Sequence, residues 1–210
     1  MRNTNPNANS PCVDVLAFSP HPDDAEMGCG GLLLKLKDVR ENLMLEDANI
    51  KDDFDSRLKV INVIRKYKPR LVIIPYWIDR HPDHENSYKL LKHAIFISGL
   101  PKFETEFEFH RPNVVINYML HYEFNPSFIV DITPYYKEKI EAVTAYKSQF
   151  YSNQEKTIIT HIASKYYFDV INSRHKYYGL RIRSKYGEPY FAEFDIRIDD
   201  PIKQFDYWRI

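Results

Sequence analysis

Two short apolar runs, each ended by a His-Pro-Asp turn and followed by a helical pattern, constrain the fold of this chain most. "VDVLAFS" (13–19) gives way to "SPHPDD" (19–24), and "RLVIIPY" (70–76) gives way to "DRHPDH" (79–84). Aliphatic and β-branched runs of this length, bounded by turn residues, read as strands buried on both faces. After the first turn, residues 25–37 carry Met27, Leu32, Leu33, Leu34 and Leu36, with acids at the start and lysines at the end, as a helix dipole favours. After the second, residues 84–98 form an amphipathic helix with Leu91, Ala94 and Ile95 on one side. A third helical stripe runs from Ser56 to Tyr67, and residues 134–148 read as a fourth helix. "NVVINYML" (113–120), "SFIVDIT" (127–133) and "EPYFAEFDIRI" (188–198) read as strands, "NLML" (42–45) as a short one, and residues 153–180 show no clear period. Strands alternating with helices predict an α/β fold, a mostly parallel sheet with helices on both faces.

Composition narrows the function classes. The 210 residues suit one domain, expected over residues 13–210 behind a disordered tail at 1–12. Twenty-nine basic and 29 acidic residues cancel, so no global field favours nucleic acid or an anionic membrane. No apolar run approaches a membrane span, and the N-terminus lacks the layout of a signal peptide. Cys12 and Cys29 make neither a disulfide framework nor a C-x-x-C site, which points to a reducing, cytoplasmic setting.

In an open α/β sheet, ligands bind beyond the carboxyl ends of the strands. Both His-Pro-Asp turns leave such ends, so they can share one crevice. Their "HPDD" and "HPDH" cores supply three imidazoles and three carboxylates, a set suited to a divalent metal with mixed nitrogen and oxygen ligands, zinc above all. The plainer reading of either turn alone is a proline loop with an aspartate capping the next helix. Two copies in the same structural setting outweigh it. "GCGG" (28–31) does not have the G-x-G-x-x-G spacing of a dinucleotide site, and no acidic ribose partner follows.

"PHPDDAE" with "GCGG", and later "DRHPDH", resemble the LmbE-like or PIG-L deacetylase superfamily, with weaker likeness at "PSFIVDIT", "YKSQF" and "GEPYFAEF". The resemblance implies a Rossmann-like domain that hydrolyses the N-acetyl group of an N-acetylglucosamine-type substrate: a free sugar, a chitin disaccharide or a glucosaminyl conjugate. It implies zinc, with ferrous iron as the alternative, on His21, Asp24 and His84. Asp23 matches the general base, His81 the imidazole that stabilises the oxyanion or protonates the amine, and Asp83 the carboxylate that tunes His81. Arg80, His121 and Gln149 lie where substrate contacts are expected. Family relatives are often homo-oligomers, and the partner expected here is a small amino sugar.

One departure stands out. "LLLKLKD" joins "VRENLMLED" directly, where family members insert a strand, a substrate-contacting loop with an arginine, and a helix. The join skips roughly one βα unit with its loops. If the lost strand were an inner one, its neighbours would be left unpaired unless they closed up. The rival expectation is therefore an inactive metal- or sugar-binding relative.

Overall fold

A computed structural model describes residues 12–36, 41–146 and 165–206. In chain order these form β1 (Val15–Ala17), α1 (Asp24–Leu36), α2 (Phe54–Tyr67), β2 (Leu71–Pro75), α3 (Pro82–Ser98), β3 (Val114–Tyr118), β4 (Phe128–Asp131), a 3-10 turn (Thr133–Tyr135), α4 (Tyr136–Thr144), α5 (Lys165–Arg181), β5 (Gly187–Phe191) and α6 (Pro201–Gln204). The sheet order is β1-β2-β3-β5-β4. β1, β2 and β3 pair in parallel, and β5 runs antiparallel to both β3 and β4. Four of the five strands therefore point the same way, as the alternating pattern predicts.

Strand alternation divides the core in two. On β1, Val15 and Ala17 face one cluster while Leu16 and Phe18 face the other; on β2, Ile73 faces the first while Val72 and Ile74 face the second. The first cluster is completed by residues of α1, α4 and α5, the second by residues of α2 and α3. β2 is aliphatic throughout because both its faces are covered. Among the described residues, no helix is long and apolar enough to cross a membrane.

Three sequence expectations are corrected. "NLML" forms no strand: Met44 takes φ 52° and is exposed, which breaks a ladder. Among the described residues β1 lies at the sheet edge, and the ladder from β1 through β2 to β3 is continuous across the join. α5 occupies part of the stretch that showed no period. Its buried positions are Tyr167, Ile171, His175 and Tyr178, at helical spacing, while Val170 and Leu180 face outward. Hydropathy misses a face built largely from tyrosine and histidine.

Helix α1 is broken at Cys29 (φ −137°, ψ 15°). The break is bridged by a fully buried ion pair, Lys139 to Glu188, at 2.6 Å. Lys139 Nζ donates to the Met27 carbonyl at 2.8 Å, and Glu188 accepts from the Gly31 and Leu32 N–H groups at 2.7 and 2.9 Å. The cation thus takes a carbonyl of the first half and the anion takes the amides of the second, each where the helix dipole favours it. Gly28 is required for closeness, since a Cβ there would lie 2.0 Å from the ring of buried Tyr118.

Candidate active site

The loops after β1, β2 and β3 meet because these strands are parallel neighbours and end on the same side of the sheet. The first carries His21 and Asp23 into the start of α1 at Asp24. The second runs through Asp79 and Arg80 to His81, the N-cap of α3, with Pro82 in its first turn. The third brings His121.

Three atoms converge. His21 Nδ1 lies 3.0 Å from Asp24 Oδ2, His84 Nε2 lies 3.1 Å from the same oxygen, and the two nitrogens are 3.3 Å apart. The corners of a tetrahedron with metal bonds of 2.0–2.1 Å lie about 3.3 Å apart. The donor set and spacing therefore fit zinc. The outer nitrogens are also held: His21 Nε2 by Asp83 at 3.2 Å and Asp47 at 3.3 Å, and His84 Nδ1 by Asp79 at 2.9 Å. Metal-binding histidines are usually oriented in this way, through the ring nitrogen that does not face the ion.

The charges follow the geometry. Burial would raise Asp24, but hydrogen bonds from His21 and His84 outweigh it and bring its pKa down to about 2. Burial would lower His84, but Asp24 and Asp79 lift it to about 9. Asp23 is raised above the ordinary carboxylate range by burial first and by the Asp24 charge second. Its Oδ2 is buried and, among the described residues, has no hydrogen-bond partner. His81 is lowered by burial and by His21 and His84 beside it.

Asp83 directs its carboxylate to His21 and to the Ala48 and Ile50 N–H groups at 2.7 and 3.2 Å, while its own N–H donates to His81 Nδ1 at 3.2 Å. His81 thus keeps its hydrogen on Nε2. His121 Nδ1 lies 2.8 Å from Asp79, and its Nε2 is buried with no hydrogen-bond partner among the described residues. Arg80 is exposed at the rim of the cavity that His21, Asp23, Asp24, His81, His84 and His121 line. Gln149 lies outside the described residues.

Asp79 is the residue that sequence reasoning left without a role, although it heads the second motif. It accepts from the N–H of His81 at 3.0 Å and of His121 at 2.9 Å, as well as binding two imidazoles. Arg174 was also missed. It donates to the carbonyls of Leu120 and His121 and braces the third loop, and no motif flagged its distant position.

No family model matches the chain. The diacetylchitobiose deacetylase of Thermococcus kodakarensis is 27% identical over 195 positions, which take in 68% of this chain and 73% of the relative. Because 195 positions draw on only that share of 210 residues, part of the relative has no counterpart here. The crystal structure of the conserved protein TT1542 from Thermus thermophilus superposes with a TM-score of 0.81 at 27% identity, covering 90% of this chain and 98% of that one. The N,N'-diacetylchitobiose deacetylase of Pyrococcus horikoshii shares the fold, with a TM-score of 0.68 at 22% identity over 84% of this chain and 82% of that one. Sequence relationship over two thirds of the chain and likeness of fold over most of it agree with the paired His-Pro-Asp motifs in relating this chain to the LmbE-like, or PIG-L, deacetylase superfamily.

Proposed function

We propose that the protein is a zinc-dependent N-deacetylase of N-acetylglucosamine-type substrates, releasing acetate and a free amine. The observation that carries this reading is the mutual spacing of His21 Nδ1, Asp24 Oδ2 and His84 Nε2, beside a buried carboxylate oxygen of Asp23 that has no partner of its own among the described residues. The relationship to a diacetylchitobiose deacetylase supports the substrate class.

His21, Asp24 and His84 would hold the ion. When bound, zinc lowers the pKa of water and polarises the acetamide carbonyl. Asp23, with its raised proton affinity, takes the proton from the attacking water. His81 holds Nε2–H toward the cavity, where it donates to the oxyanion that develops on the acetamide. Because the Asp83 N–H occupies its Nδ1, His81 stays neutral, which leaves Asp23 to pass its proton to the amine nitrogen. The new C–O bond and the broken C–N bond then balance as acetate and a protonated amine, whose nitrogen takes up both protons of the water. The two adjacent aspartates thus divide base from ligand.

The test is zinc content together with acetate release from N-acetylglucosamine and diacetylchitobiose. Asp23→Asn should keep zinc and lose at least ~100-fold in kcat, the scale of a general base. Asp24→Ala and His84→Ala should lose the metal. Equal zinc loss in all three variants would overturn the division of roles. That no strand pairs with the outer edge of β1 among the described residues favours the second reading, a metal-binding relative without turnover. Stoichiometric zinc with no acetate from any acetamido sugar would select it.

A further inference from the structure

The loop that precedes α2 rests against the second His-Pro-Asp turn. Glu46 to Asn49 make a turn of their own: the Asn49 N–H donates to the Glu46 carbonyl at 3.3 Å, and the Asn49 side-chain amide donates to the Glu46 carboxylate at 2.6 Å. Inside this turn Ala48 takes φ 58°, in the left-handed region that favours glycine. Ile50, just past it, is buried and packs into the core cluster of α2 and α3.

The strained turn and the anchored isoleucine aim two backbone donors at one acid. The Ala48 N–H donates to Asp83 Oδ2 at 2.7 Å and the Ile50 N–H to Asp83 Oδ1 at 3.2 Å. Asp83 is 2% exposed, and a carboxylate so buried needs donors for its oxygens. Its remaining partner is His21, whose Nε2 lies 3.2 Å from Oδ2. Asp47, in the same turn, places an exposed carboxylate 3.3 Å from that nitrogen. The other ring nitrogen, Nδ1, lies 3.0 Å from Asp24 and 3.3 Å from His84 Nε2, inside the candidate ligand cluster. A neutral imidazole carries one hydrogen. On Nδ1 that hydrogen would bond Asp24 and block an ion. On Nε2 it bonds Asp83 and leaves Nδ1 bare. The placement of Asp83 decides between the two, and the loop holds that placement.

We infer that residues 47–50 are a positioning element of the metal centre: the amides of Ala48 and Ile50 fix Asp83, Asp83 keeps the His21 hydrogen on Nε2, and Nδ1 is left free to take an ion. The inference rests on the zinc reading above and extends it to a loop that lies outside both motifs. Backbone strain at a functional site persists where the surrounding contacts over-determine it, and here those contacts are the two hydrogen bonds to Asp83 and the buried Ile50.

The full chain is tested by two readouts that do not use turnover. One is zinc affinity by competition with a chelator. The other is imidazole nitrogen NMR of the metal-free chain, which locates the hydrogen on the neutral His21 ring. Ala48→lactate exchanges only the N–H for oxygen. It should weaken zinc binding about 10–100-fold and spread the His21 hydrogen over both nitrogens. Ala48→Pro removes the N–H and also forbids φ 58°, so it should lose at least as much. Ala48→Gly keeps the donor and the conformation and should match the parent chain in both readouts. A lactate variant with parental zinc affinity would overturn the inference, as would weaker zinc binding with the hydrogen still on Nε2, or equal losses in the glycine and lactate variants. A parent chain that binds no zinc would sink the zinc reading, while the NMR comparison would still decide the role of the loop. Zinc binding without acetate release would sink the deacetylase reading alone and leave the inference standing.

Discussion

Asp79 spends its two oxygens on four donors: the N–H groups of His81 and His121 and the imidazoles of His84 and His121. These bonds hold its pKa well below the usual carboxylate range against the opposing effect of burial. With Asp79 accepting at Nδ1, both rings leave Nε2 free of hydrogen in their neutral form. In His84 that is the atom facing Asp24 and His21. An amide at position 79 can donate as well as accept and so permits the wrong tautomer. Asp79→Asn should therefore weaken zinc binding about 10–100-fold while the chain still folds, as measured by competition with a chromophoric chelator. Unchanged affinity would show that the backbone alone orients His84. At this scale the candidate ligand set could be read from two motifs, because each places its residues within one loop. The role of Asp79 could not, because its partner His121 is 42 residues away.

Helix α1 shows what an element gains from tertiary contacts. Its glycines at 28, 30 and 31 weaken the helix locally, and the chain breaks there at Cys29. Lys139 and Glu188, from α4 and β5, bridge the two halves, and His175 accepts from Lys139 at 2.8 Å. Burial first, and the Lys139 charge second, push His175 well below its ordinary pKa, so it stays a neutral acceptor. Removing one member leaves a buried charge unmatched. Lys139→Met should cost about 3–5 kcal/mol in denaturant unfolding, and adding Glu188→Gln should recover part of the loss. A single variant of native stability would show that the pair does not splint the helix. Periodicity made α2 and α3 legible through their aliphatic faces, whereas the Asp53 cap of α2 came only with the structure. It failed for α5, whose buried face uses Tyr167, His175 and Tyr178.

For the whole molecule, the clustered acids and imidazoles couple stability to pH. His84 is raised to about 9, so in chelator its contribution is complete below the unfolded pKa near 6.5 and is lost as pH rises through about 9. Asp24 is lowered to about 2, so its contribution is present above its unfolded value and is lost as pH falls through about 2. The metal-free chain should thus be most stable between about pH 4 and 6.5. Zinc requires neutral His84, so the stability that zinc adds should grow from pH 6.5 toward 9. Thermal unfolding with and without chelator across this range checks both signs. A zinc increment that is constant with pH would exclude His84 as a ligand.

The amino-acid order by itself determined the alternation of strands and helices, the two loops at strand ends, and the residue types that can bind a metal there. All of these depend on neighbours within about a dozen positions, where periodicity and turn chemistry act. Only the tertiary structure decided that β1 is an edge strand, that "NLML" stays out of the ladder, that Asp79 joins the second and third loops, and that a buried ion pair mends α1. Each of these depends on which distant groups share a low-dielectric interior, and hydrogen bonds between them form only once the sheet has set their spacing.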